Sequence, residues 1–328
     1  MTEEADKTSA RPVARALSPC GALVGELDAD GRVALRSLVT GERVGTVSTA
    51  PGCLALALSP GGRRVAVCDA EGRARAWSVA SGEPIPLPAD ARAGHVLDHR
   101  VDNFSRRVHH SARAADLRFA PDGRALLAAR RMTHEQETYY GGGWVFSEAA
   151  AALHSLGGAR PPVTLVSRER TSDYWDNELC DHVVEAAFVG EQHVALRMHS
   201  GALLLHERGG ATTPLAGGPA RALAAAAQVP VLGHDREDAL VLRDEPQGDP
   251  RTQADPSLRG ATALALDPAG LRAAVVTPAG VVRVELAPAR VLPPRPVEGP
   301  RVVALVFTPA GALVGLRADH ELVAIDGE

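Results

Sequence analysis

The chain has 328 residues, 45% of them hydrophobic and 23% charged, with a mean hydropathy of −0.05 and a formal net charge of −5. Enough apolar material is present for a sizeable core, which excludes general disorder and collagen-like repeats. The acidic balance argues against a chain built to neutralise phosphates, and no apolar run approaches the roughly 20 residues that cross a bilayer.

The opening segment, Met1-Thr2-Glu3-Glu4-Ala5-Asp6-Lys7, is polar and acidic, the reverse of a signal peptide. It is expected to be disordered over residues 1–11, with one domain filling 12–328. The cysteines Cys20, Cys53, Cys68 and Cys180 form no CxxC pair and read as buried thiols of a reducing cytoplasm. Lys7 is the single lysine, the other basic residues being arginine. Together with abundant Ala, Gly and Pro, this reads as the coding bias of a GC-rich bacterium.

From residue 12 onward the chain repeats itself. Pro-x-Gly follows an apolar run at Pro19-Cys20-Gly21, Pro60-Gly61-Gly62, Pro121-Asp122-Gly123, Pro268-Ala269-Gly270 and Pro309-Ala310-Gly311. Proline presets the first central position of a tight turn and glycine tolerates its end, so each marks a hairpin between short strands. A second turn follows at a constant offset at Gly31, Gly72 and Gly280, and at nearly the same place at Ala318-Asp319-His320, and a third falls at Gly41 and Gly82. Three turns per forty-odd residues imply four short antiparallel strands, the unit of a propeller blade.

Between Pro121 and Pro268 the anchor is lost. Counting back from Gly201 places a fourth unit around Val189-Gly190-Glu191, and a weaker fifth covers 222–243. The alanine run at 222–227 has helical propensity, but its register argues strand. Units thus begin near residues 13, 53, 115, 183, 220, 261 and 301. The expected fold is an all-β, single seven-bladed β-propeller of four-stranded antiparallel blades, with insertions at 94–113 and 131–182. Residues 147–156 alone read as a short helix. The last unit ends on its third strand, near Val323, so the segment before Leu17 is expected to supply the fourth and close the ring.

These repeats resemble the WD40-repeat β-propeller family in a divergent bacterial form. The run from Leu54 through Ser59-Pro60-Gly61-Gly62 to Asp69 resembles that family's first two strands and their turn. Arg75-Ala76-Trp77-Ser78 stands where the family has its Trp-Asp ending. Trp-Asp occurs only at Trp175-Asp176, inside the second insertion and not at a unit's ending, and no clear Gly-His opening begins a unit, so the family's hydrogen-bonded tetrad is expected to be absent. The resemblance implies a rigid, non-catalytic platform for other proteins.

Motifs for catalysis are scarce. There is no Walker-type loop, HExxH, Gly-x-Ser-x-Gly or paired CxxC. His95, Asp98, His99 and Asp102 have a spacing that a metal could use, but the segment reads as a polar loop between the second and third blades. Cys180 and His182 share a face of an extended chain, with no third group to orient them. The alternative function, a metal-dependent propeller hydrolase or lactonase, needs polar ligands around a central channel, where the strands begin instead with residues such as Leu54, Leu264 and Val303. No catalytic residue, cofactor or metal is assigned.

The large aromatics are more informative, because most lie in the two insertions. Phe104, Tyr139, Tyr140, Trp144, Tyr174 and Trp175, with Arg106, Arg107 and Arg131, are the residue types that dominate interface hot spots. They are expected either to contact a protein partner or to form a satellite core under long loops. The expected function is a cytoplasmic interaction scaffold, monomeric on its own and a subunit of a larger bacterial complex, binding one or more proteins but neither nucleic acid nor membrane.

Overall fold

The five Pro-x-Gly turns fold alike. In each, the glycine N–H donates to the carbonyl three residues back: Gly21 to Ser18, Gly62 to Ser59, Gly123 to Ala120, Gly270 to Asp267 and Gly311 to Thr308, at 2.8–3.0 Å. All five glycines have φ between +65° and +84°, where a residue without a Cβ sits free of steric penalty. In four turns the opening side chain also accepts a backbone N–H: Ser18 Oγ from Leu23, Ser59 Oγ from Arg64, Asp267 Oδ1 from Arg272 and Thr308 Oγ1 from Ala312. Those four polar side chains are buried, and these bonds offset the cost of removing them from water.

The computed structural model describes residues 12–325 except 159, 177, 217, 227, 228 and 230. It contains seven sheets, spanning 14–48, 55–85, 94–173, 183–215, 223–254, 263–291 and 302–324. Five are four-stranded antiparallel meanders in chain order. The third is enlarged to six strands and the seventh has three. The repeat strands open at Ala14, Ala55, Leu117, Val183, Leu223, Ala263 and Val302, within three residues of the starts expected from turn spacing. The 222–227 run does hold a strand, Leu223–Ala225.

Six apolar clusters bind each sheet to the next. Leu27, Leu35, Leu56 and Leu58 join the first sheet to the second, and Ala66, Ala74, Leu117 and Leu126 the second to the third. Leu127, Leu153, Val194 and Leu196 continue to the fourth, and Leu205, Leu223 and Leu232 to the fifth. Leu240, Leu264 and Val282 reach the sixth, and Ala274, Val281, Phe307 and Leu313 the seventh.

The seventh sheet also touches the first. Arg15 donates from its guanidinium to the His320 carbonyl, and a Cβ on Gly21 would lie 1.9 Å from the Phe307 carbonyl oxygen. The expected N-terminal closing strand needs correction for the part described. Ala14–Leu17 pairs with Leu23–Leu27 in the first sheet, and Leu322–Ala324 has no outer neighbour among the described residues. Residues 1–11, expected to be disordered, lie outside the described residues.

The third sheet overturns two local expectations. Residues 147–156 are not a helix: 147–155 belong to the strand Gly143–Ser155, paired on both sides, and Leu156 lies in the turn that follows. Burial alternates along the strand, with Ser147, Ala149 and Ala151 inward, so pairing overrides the helical propensity of alanine. Residues 94–111 are not a polar loop but a hairpin of Gly94–Val101 and Ser105–Ser111. Its first strand runs parallel to the upper half of Ala125–Glu137, while the repeat strand Leu117–Phe119 pairs with the lower half. The result is an extended sheet in the order Ser105–Ser111, Gly94–Val101, Ala125–Glu137, Gly143–Ser155, Val163–Asp173. Among the described residues, no helix is long and apolar enough to cross a membrane.

Candidate functional site

Three chain reversals meet at the far end of the extended sheet. The first is Asp102-Asn103-Phe104, where Asp102 adopts φ +45° and Phe104 N–H closes onto Val101. The second is Thr138 to Gly142, tied by Thr138 N–H to the Gly142 carbonyl at 2.7 Å and Gly142 N–H to Thr138 Oγ1 at 2.9 Å. The third, Tyr174-Trp175-Asp176, follows the strand Val163–Asp173.

Hydrogen bonds from backbone N–H groups lock the three together. Asp102 N–H donates to Glu137, Tyr139 N–H to Asp102 Oδ2, and Tyr174 N–H to Gly143. A Cβ on Gly141 would sit 3.6 Å from the Trp175 ring. Tyr139 and Tyr140 meet edge to face at 5.8 Å, as do Tyr174 and Trp175.

The tip therefore holds aromatic rings in water. Phe104 is 90% exposed, Tyr139 79%, Tyr140 97% and Trp175 75%, whereas Tyr174 is half-buried. A satellite core under loops, the bland expectation for these rings, is not what they form. Trp144 stands one row below, partly exposed, its ring tilted on His134 at 5.1 Å.

Charged side chains brace the sheet beneath the tip. Asp98 is held by Arg106 Nε at 3.0 Å and Arg106 Nη2 at 3.2 Å, by His134 Nδ1 at 3.0 Å, and by Arg100 at 3.5 Å. Burial opposes the Asp98 charge, but Arg106 and then His134 outweigh it and keep the carboxyl below its usual range. His99 faces Glu137 at 3.3 Å.

At the base, Arg131 donates to His95 Nδ1 at 2.9 Å and to His182 Nε2 at 3.1 Å, joining the third sheet to the start of the fourth. A guanidinium has only donors, so both nitrogens accept and both imidazoles are neutral. The proton of His95 then sits on Nε2, facing Thr133 Oγ1 at 3.1 Å. Burial first and the Arg131 cation second push both histidines down to about 4.

Of the residues singled out from the sequence, Phe104, Tyr139, Tyr140, Tyr174 and Trp175 come together at the tip, with Trp144 just below. Arg106 and Arg107 lie along the hairpin's edge strand on opposite faces, so they make no joint basic patch. Arg131 is not at the tip: eight residues of strand, about 26 Å, separate it from Tyr139. His95 and His99 fall on one face and Asp98 on the other, each with its own partner. No metal-holding group of His, Cys, Asp and Glu occurs among the described residues. Cys180 donates its N–H to Ser147 Oγ at 2.7 Å while His182 turns to Arg131. All four thiols are free; Cys20 is only partly buried, and burial pushes Cys68 up to about 12.

The sequence reading missed the Arg131 hub and the charges on the first strands of the sheets. Arg15 pairs with Glu26 at 2.6 Å, and Glu185 with Arg197 at 3.0 Å and with the Leu223 N–H. Arg118 lies within Coulombic reach of Glu185. Nothing in the local spacing signals these groups, since their partners are other strands. No known protein-family model matches this chain, and no curated protein matches it either.

Proposed function

We propose that this chain is a seven-bladed propeller of WD40-like type working as a non-catalytic protein–protein interaction scaffold, a cytoplasmic subunit of a larger bacterial complex. The single observation that supports the role is the aromatic tip. Large rings standing almost fully in water at the end of a braced sheet lose little conformational entropy on docking and offer much apolar area. Exposed clusters of this kind are characteristic of interaction sites.

Support for the propeller comes from consecutive packing of the sheets and from the contact of the seventh with the first.

The role is tested by affinity purification from the native host with the wild type and a Tyr139→Ala/Tyr140→Ala/Trp175→Ala variant. The variant should lose the co-purifying protein while its circular-dichroism melt stays within a degree or two. Retention of that protein would overturn the assignment of the tip.

A further inference from the structure

Resting on that reading, we infer that the partner presents a cationic, extended segment, arginine- or lysine-bearing, to the tip. The inference comes from which charges at the tip are already engaged. The two arginines nearest the reversals, Arg100 and Arg106, are both held by Asp98, one residue row down. Among the carboxylates, Glu137 faces His99, Asp102 accepts the Tyr139 N–H, and Glu178 pairs with Arg170. Asp173 and Asp176 are both exposed, and neither has an ion-pair partner among the described residues. They flank Tyr174 and Trp175 in sequence, so uncompensated negative charge lies beside the open ring faces.

That combination selects by charge. A ring face is itself electronegative and attracts a guanidinium or ammonium, most strongly on tryptophan. Adjacent carboxylates add a Coulombic pull of the same sign and repel acidic segments and phosphates. Width selects an extended chain. Five paired strands place about 19 Å between the edges of the tip, the length of roughly six residues of extended backbone. A flat, apolar partner face would leave Asp173 and Asp176 desolvated and without counter-charge, which is costly.

The probe is a decapeptide alternating arginine and glycine, with a glutamate–glycine decapeptide as control. Of the three tryptophans, Trp77 is buried in the core, so a Trp144→Phe background makes Trp175 the solvent-facing reporter. The arginine peptide should produce a saturable fluorescence change. Its affinity should fall about fivefold or more between about 50 and 200 mM salt. Asp173→Asn/Asp176→Asn should weaken it about tenfold with an unaltered melt, and the glutamate peptide should give no response. No response to the arginine peptide, an equal response to both peptides, or full affinity in the double variant would overturn the inference. So would fluorescence changes with phosphatidylcholine vesicles in place of the peptide. Should these fail while the triple alanine variant still releases the native partner, the scaffold reading stands and only the cationic partner falls. Should the triple variant retain the partner, the scaffold reading itself fails.

Discussion

The second sheet and the extended half of the third are built from the same antiparallel pairing, yet they need opposite side chains. In the second, the inner strand Ala55-Leu56-Ala57-Leu58 is buried at every position, and the sixth sheet repeats the same four residue types at Ala263–Leu266 with the same burial. Both faces of such a strand are covered by neighbouring sheets, so small and branched apolar residues satisfy both. Above Arg130 the third sheet outgrows its neighbours. Its strands there are half-exposed, and pairs such as Asp98 with Arg106 and Arg130 with Glu148 take the place of apolar packing. A repeat unit is held by its neighbours, whereas the extension is held mainly by its own ladder and by the Arg131 hub at its base.

That contrast can be broken at several strengths. Leu56→Ala opens a cavity where the first two sheets interlock and should cost about 3 kcal/mol, read as a lower urea midpoint with partner binding lost along with the fold. Gly21→Val should destabilise by about 2 kcal/mol or more, since its backbone sits at φ +68° and the new Cβ would collide with the Phe307 carbonyl. The urea midpoint checks this, and an unchanged value would mean that the contact between the first and seventh sheets contributes little.

Arg131→Met leaves the His95 and His182 acceptors without their donor and should cost about 2 kcal/mol. Its effect should be local, with hydrogen exchange rising at 94–101 and 130–137 before it rises in the second sheet. The same hub sets a pH dependence. Folded His95 and His182 titrate near 4, against about 6.5 when unfolded. Between those values the unfolded chain binds more protons, so stability should fall as pH drops from about 6.5 to about 4 and level off below. Denaturant titrations across that range check the sign. Arg131→Met should flatten the slope only in part, because burial is the larger cause. The smallest effect belongs to Tyr140→Ser, which should shift stability by no more than about 0.5 kcal/mol, since the ring touches little besides Tyr139.

The sequence by itself determined the turn rhythm. Ser18-Pro19-Cys20-Gly21 and its counterparts carry their conformation locally: proline supplies one dihedral, glycine a second, and the opening Ser, Thr or Asp caps the turn. That is why the sheet boundaries were legible to within a few residues, and why Leu223–Ala225 could be read as strand by position. The aromatic residues of the tip were legible as a group because the repeat units are otherwise so poor in them. Only the tertiary structure decided what the insertions became. The alanines from Ala149 to Ala152 favour a helix in isolation, but the flanking strands Ala125–Glu137 and Val163–Asp173 offer hydrogen bonds on both edges, and those long-range bonds prevail. Asp98 finds Arg106 across a hairpin and His134 across a parallel pair, while Arg131 reaches His182 just ahead of the next sheet. Such partnerships depend on register between strands distant in sequence, and no local spacing encodes them.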